Sequence, residues 1–199
     1  MNNATAYQLG IIFSIGSYNK EDARITFRHK ERYFLEQLQT LFPNTIYGQE
    51  VHSGKQYVMK ASINIETLDN LNWNARNSDV RKLPILEKYK DFLRAYLEIH
   101  SRFDYCTTYT GNRKYYRLRL RIYGNFNIIE NINSILAIEV KTKKKSIYTT
   151  PNGKTSVLCY TNLEEIRNIL KYLDGSPFNN LFWDNAYRCL NEPKKYIKN

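Results

Sequence analysis

Three arginines alternate with apolar residues in the run Y-Y-R-L-R-L-R-I-Y, from Tyr115 to Tyr123. On a strand, Leu118, Leu120 and Ile122 point one way, and Arg117, Arg119 and Arg121 the other, with about 6.6 Å between successive arginines. Guanidinium groups at that spacing can follow the phosphates of a nucleic-acid backbone, neutralising charge and fixing register without encoding sequence. Arg102, Cys106, Thr108 and Thr110 are expected on the same face of the preceding strand. In the first half of the chain Arg24, Thr26 and Arg28 alternate in the same way, and Gln56 and Lys60 are expected beside them. The run K-T-K-K-K supplies Lys141, Lys143, Lys144 and Lys145. Alone it reads equally as a solvated charge run; beside the arginine stripe, nucleic-acid contact is the better reading.

Other chemistries lack their residues. The sequence has no P-loop, no G-x-S-x-G, no Cys-x-x-Cys and no His-x-x-x-His, and His29, His52 and His100 are widely spread. The formal charge of +11 and an isoelectric point near 9.5 favour a polyanionic partner. Three cysteines (Cys106, Cys159, Cys189) make neither a disulfide framework nor a zinc site, and reduced thiols are expected. No stretch is apolar enough to span a membrane, and the N-terminus has neither a signal-peptide core nor transit-peptide character. Heavy use of Asn, Lys, Ile and Tyr points to an AT-rich genome.

The elements that must carry these residues come in two similar series. In the first, Tyr7–Gly16 reads as an almost wholly apolar helix. It is followed by a strand over Ala23–Arg28 and a helix over Lys30–Phe42. A hairpin formed by Ile46–Val51 and Gln56–Ala61 comes next, then a short helix with Ile65, Leu68 and Leu71. The second series has a helix over Asp91–Ser101 and a hairpin of Phe103–Thr110 with Tyr115–Tyr123. A helix marked by Ile128, Ile129, Ile132 and Ile135 follows, then a hairpin of Val140–Thr149 with Thr155–Thr161 around P-N-G-K. Asn162 is expected to cap the last helix and Gly175 to end it. Between the series, W-N-A-R-N-S-D-V-R-K-L-P carries Arg76, Arg81 and Lys82, either as a solvated connector or as a second phosphate contact. The aromatics of the tail are expected to dock on the body, and Lys194–Lys198 to fray. Tyr105, Tyr109, Tyr115, Tyr116 and Tyr123 are read as strand packing, with base stacking as the minority alternative.

Each series opens on the same pattern. Y-Q-L-G-I-I-F-S-I-G-S-Y (Tyr7–Tyr18) and F-L-R-A-Y-L-E-I-H-S-R-F (Phe92–Phe103) are apolar helices ending in a small residue and an aromatic, repeated after about 85 residues. The pattern resembles the LAGLIDADG motif of homing endonucleases. The resemblance runs from Tyr7 to about Gly175 and implies an α+β fold of two pseudo-symmetric half-domains. Each half would follow α-β-β-α-β-β-α order, with the first hairpin shortened and antiparallel sheets forming a basic concave saddle. The implied domains are 1–72 and 88–175, joined by a linker over 73–87 and followed by a tail over 176–199. It also implies that the motif helices pack through small residues: Gly10, Ser14 and Gly16 in one, Ala95 and Ser101 in the other. Arg94 and Tyr96 depart from that rule.

In that family the acid just before the last glycine of each motif holds the catalytic metal. Here those positions are Ile15 and His100. Isoleucine has no donor atom, and imidazole is a poor ligand for Mg²⁺, which takes oxygen. No cofactor or metal is therefore expected, and the resemblance implies binding without cleavage. The expected partner is RNA rather than double-stranded DNA, bound by a chain that is monomeric by itself. The expected role is that of an organellar maturase or a component of a ribonucleoprotein such as the mitochondrial ribosome, alongside other proteins and away from any membrane. A mitochondrial or other organellar matrix is the expected location; the alternative is the cytoplasm of a low-GC bacterium or phage host. The rival functions are a sequence-specific duplex-DNA-binding protein and an active endonuclease that recruits another acid, such as Glu98 or Asp104.

Overall fold

The computed structural model describes residues 4–19, 24–42, 45–50, 56–62, 68, 71, 73–74, 80–111, 113–175, 179–192 and 194–196. The chain divides into two compact units, Met1–Tyr96 and Leu97–Asn199.

The first unit opens with α1 (Ala6–Ile15), which starts where Thr5 and Gln8 satisfy each other's backbone N–H groups as a capping box. Seven of its ten residues are buried, as its nearly continuous apolar sequence requires. β1 (Ser17–Asn19) and β2 (Arg24–His29) form a short antiparallel hairpin. α2 (Arg32–Gln39) packs Phe34, Leu35 and Leu38 inward. β3 (Thr45–Glu50) and β4 (Gln56–Ser62) complete a sheet of order β1-β2-β4-β3. The turn between β3 and β4 lies outside the described residues. So does most of the short helix expected around Ile65–Leu71, of which Leu68 is helical and buried.

α3 (Lys90–His100) carries the second motif and crosses the boundary between the units. The second unit continues with β5 (Ser101–Thr110) and β6 (Arg113–Gly124), joined through Gly111 at φ +58°. Then come α4 (Phe126–Glu139), β7 (Tyr148–Thr149), β8 (Ser156–Tyr160) and α5 (Leu163–Leu173). Its sheet runs β5-β6-β8-β7, the same order as in the first unit, so one connection pattern has been used twice. Asn162 caps α5 by accepting from the N–H groups of Glu164 and Glu165.

Four local expectations need correction. The strand expected over Val140–Thr149 pairs only at Tyr148–Thr149, because the segment before it is held by side chains rather than by a ladder. Gly175 does not cap α5, which ends at Asp174 with its N–H bonded to the Lys171 carbonyl. The tail does more than dock aromatics: it forms α6 (Asn180–Asn191), burying Phe182, Trp183, Ala186 and Cys189 while Leu181 stays exposed. Finally, Lys194–Tyr196 does not fray but pairs as β9 with Tyr115–Arg117 of β6. Among the described residues no helix is long and apolar enough to cross a membrane.

Candidate nucleic-acid interface

Strand register decides which side chains share a face, because partners opposite each other in an antiparallel pair lie on the same side. In the second unit Arg102 pairs with Arg121, Asp104 with Arg119 and Cys106 with Arg117; Arg121 also pairs with Cys159 of β8. Leu118, Leu120 and Ile122 are buried on the opposite, helix-covered face. The alternation in Y-Y-R-L-R-L-R-I-Y thus sorts β6 as its sequence requires. Arg102 and Arg117 are exposed; Arg119 and Arg121 are half-buried.

Asp104, named from the sequence only as a candidate replacement acid, is a partner of arginine instead. It lies at the centre of the stripe. Arg119 donates from Nε to Asp104 Oδ1 at 2.5 Å and from a terminal nitrogen to Oδ2 at 3.3 Å, a bidentate fork. Arg121 donates to the same Oδ2 and lays its guanidinium over the Tyr123 ring at 5.5 Å. The hydrogen bond to Asp104 raises the pKa of Arg119 further, against burial, which lowers it. Arg117 Nε donates to the Thr161 carbonyl at 3.0 Å. The signal was available: Asp104 has the same parity along β5 as Arg102 and Cys106.

In the first unit Arg24 pairs with Ser62, Thr26 with Lys60 and Arg28 with Val58, so Arg24, Arg28 and Lys60 share one face. Arg28 is exposed, Arg24 and Lys60 half-buried, and Thr26 buried. The opposite face carries Ile25, Phe27, Met59 and Ala61 in the core.

The K-T-K-K-K run is placed differently. Lys141 follows the end of α4 with φ 60°, and Lys141, Lys143 and Lys144 are exposed. Lys145 is pinned on the helix-covered side of the second sheet. Its ammonium meets both oxygens of Glu165 at 2.8 and 2.7 Å and sits 5.4 Å from the Tyr160 ring. Its backbone exchanges two hydrogen bonds with the Asn133 amide, and Glu165 also accepts the Lys143 N–H. Burial pushes the Glu165 carboxyl up. The hydrogen bonds from Lys145 and the Lys143 N–H, with the charges of both lysines, outweigh it, and its pKa falls below the usual carboxylate value. A depressed carboxylate stabilises the fold above its unfolded pKa, and that stability is lost as pH falls through the folded value. Glu165→Gln is therefore expected to cost about 1–2 kcal/mol at neutral pH in urea unfolding, with the gap to wild type narrowing as pH falls below the usual carboxylate range.

The motif residues divide by what they touch. A Cβ at Gly10 would lie 2.5 Å from the Phe92 carbonyl oxygen and 2.7 Å from Ala95 Cβ, so these two helices meet at Gly10 and Ala95 with no room between. Ser14 Oγ donates to the Gly10 carbonyl at 2.7 Å, and Ser101 Oγ to the Leu97 carbonyl at 2.6 Å, each within its own helix end. The space beside Gly16 is filled by Ile12 and by Ile25 of β2. Arg94 is accommodated by stacking on the Tyr7 ring at 4.8 Å and pairing with Asp91 at 3.2 Å; Tyr96 is buried parallel to Phe92. Arg81, expected in a solvated linker or on phosphate, is 2% exposed. It donates to the Phe13 carbonyl at 2.7 Å in the last turn of α1 and stacks on Trp73 at 4.7 Å. Arg76 lies outside the described residues, and Lys82 is exposed.

Ile15 ends α1 half-buried, and His100 ends α3 half-buried. Neither helix end supplies a carboxylate, so these residues do not fit a Mg²⁺ site. The two acids named above as replacements, Glu98 and Asp104, are engaged. Glu98 is buried, accepting from Trp183 Nε1 at 2.7 Å and the Asn179 N–H at 3.2 Å, which ties α6 to α3. Asp104 holds two arginines. Among the described residues no three His, Cys, Asp or Glu side chains converge as a metal site.

No family model and no curated protein matches the sequence. Solved structures do, and they define the class: the chain has the fold of the LAGLIDADG homing endonucleases. I-AabMI, a LAGLIDADG meganuclease bound to uncleaved DNA, superimposes with a TM-score of 0.64 at 9% identity, over 96% of this chain and 91% of that one. The meganuclease I-SmaMI, bound to uncleaveable DNA, gives 0.62 at 11% identity over 96% and 92%. The I-SmaMI LAGLIDADG homing endonuclease bound to cleaved DNA gives 0.59 at 10% identity over 96% and 91%.

Proposed function

We propose that this chain binds nucleic acid through the open, arginine-bearing faces of its sheets and does not cleave it. The observation that carries the reading is a contrast within one fold. Arg102, Arg117, Arg119 and Arg121 share the uncovered face of the second sheet, while Ile15 and His100 occupy the positions at which the motif that the sequence resembles carries its metal-holding acids. Phosphate contacts by such arginines give affinity that is steep in salt and indifferent to sequence. Arg102→Ala and Arg117→Ala are therefore each expected to weaken binding uniformly across sequences and to lower the logarithmic salt slope by about 1. A titration of bound fraction against salt checks this.

RNA is the proposed ligand, in an organellar maturase or ribonucleoprotein (a mitochondrial ribosome, for example), on the strength of the AT-biased composition and the missing acids. Duplex DNA is the second reading, favoured by the DNA-bound states of I-AabMI and I-SmaMI. Sequencing the nucleic acid that co-purifies with the protein from its own source separates them. RNA supports the first and a defined duplex the second; the absence of any nucleic acid above a charge-matched control removes both.

A further inference from the structure

The arginine stripe contains an acid whose effect is opposite to that of a phosphate-tracking surface. A carboxylate among phosphate-binding arginines lowers affinity for every polyanion. Asp104 nevertheless takes the Nε edge of Arg119 and one donor of Arg121. A guanidinium carries five N–H donors. With the Nε edge of Arg119 occupied by Asp104, its terminal edge retains two parallel N–H groups, the geometry that donates to O6 and N7 of guanine. Arg119 and Asp104 are each about a quarter exposed, which leaves the fork accessible but restrains its rotation. An arginine free to swing serves as a mobile charge; one clamped on a rigid strand presents a fixed pair of donors.

We infer that Asp104 converts Arg119 from a backbone contact into a guanine reader, so that the centre of this face selects a base while Arg102 and Arg117 at its margins hold phosphates. The inference rests on the nucleic-acid-binding reading above and names the specificity of that site. The recognised chemistry is the O6/N7 edge of guanine, offered by a DNA duplex or by an unpaired RNA loop.

The test is selection of bound sequences from two pools, randomised duplex DNA and randomised RNA, with wild-type protein, Arg119→Lys, Asp104→Asn and Arg102→Ala. The wild type is expected to enrich one guanine position in one pool, which identifies the source. Arg119→Lys keeps the charge and removes the fork, so that guanine should lose about tenfold in preference while the salt slope stays as in the wild type. Asp104→Asn should bind unselected pool members more tightly, with a salt slope steeper by about 1, and lose the same guanine. Arg102→Ala should keep it. If wild type binds a pool but no guanine depends on Arg119, or if Asp104→Asn keeps the preference, the inference falls and the binding reading stands. If wild type binds neither pool, both fall. If Asp104→Asn fails to fold, Asp104→Ser takes its place with the same two expected outcomes, and Arg119→Lys tests the guanine contact separately.

Discussion

Replacing Arg81 with alanine is expected to destabilise the protein by about 3–5 kcal/mol, the range for truncating a large buried charged side chain that bonds backbone and packs on aromatic rings. Arg81 is among the largest fully buried side chains of the molecule. Its removal leaves a cavity beside the Phe13 and Trp73 rings, which meet edge-on at 5.0 Å, and orphans the Phe13 carbonyl in the last turn of α1. The stacked guanidinium also offsets the negative end of the α1 dipole. Arg81→Met should lose less than Arg81→Ala, because it refills the space beside the rings and forfeits only polar contacts. Arg81→Lys should fall well below wild type, because an ammonium cannot stack flat. Urea unfolding gives the order directly. An alanine variant within about 1 kcal/mol of wild type would mean that the guanidinium is not what closes α1.

The second large effect is at Gly10. Alanine there gains about 1 kcal/mol of helix propensity, but its methyl group would sit 2.5 Å from the Phe92 carbonyl oxygen and 2.7 Å from Ala95 Cβ. Backbone oxygen cannot rotate away, so the helices must separate and the Phe13–Phe92 edge contact at 5.6 Å must open with them. Overpacking of that kind costs about 1–3 kcal/mol for one methyl group beyond the propensity gain. Gly10→Val is expected to exceed it and to leave little folded protein. Ala95→Gly removes one of the two clashes, so the double variant Gly10→Ala with Ala95→Gly should be more stable than the sum of the single effects by about 0.5–1 kcal/mol. Simple additivity in that cycle would place the contact elsewhere.

Both positions bear on what a sequence can and cannot disclose. Gly10 and Ala95 were legible through the twice-repeated pattern's resemblance to a motif whose helices pack through small residues. The faces of β2 and β6 were legible because strand alternation allows only two sides. Arg81 was not, because an arginine in a polar linker looks the same whether it is solvated or buried under Trp73. Lys145 was likewise placed by Glu165 and Asn133, twenty and twelve residues away, contacts that no local pattern encodes. The tail helix had a local signal in Asn179, Phe182, Trp183 and Ala186, yet what holds it is Glu98, 85 positions upstream of Trp183. Asp104 had the right parity for the arginine face and was overlooked because an acid was sought as a metal ligand rather than as a partner for arginine.

That partner also shapes the functional reading. A face of unpaired arginines would be a general polyanion trap. Four arginines with one embedded carboxylate form a surface where Arg119 and Arg121 are held by Asp104 while Arg102 and Arg117 are the more exposed. Salt sensitivity and sequence preference are then assigned to different residues of one sheet, and single substitutions should separate them.

The central claim is binding without cleavage, and one gel experiment addresses it. End-labelled nucleic acid selected by the wild-type protein is incubated with it in Mg²⁺. Bound fraction is read on a native gel and strand length on a denaturing one. The account predicts a retarded complex that weakens steeply with salt and contains full-length strands at every time point. Strands that shorten in a Mg²⁺-dependent way would contradict it, and would direct attention back to His100, Glu98 and Asp104.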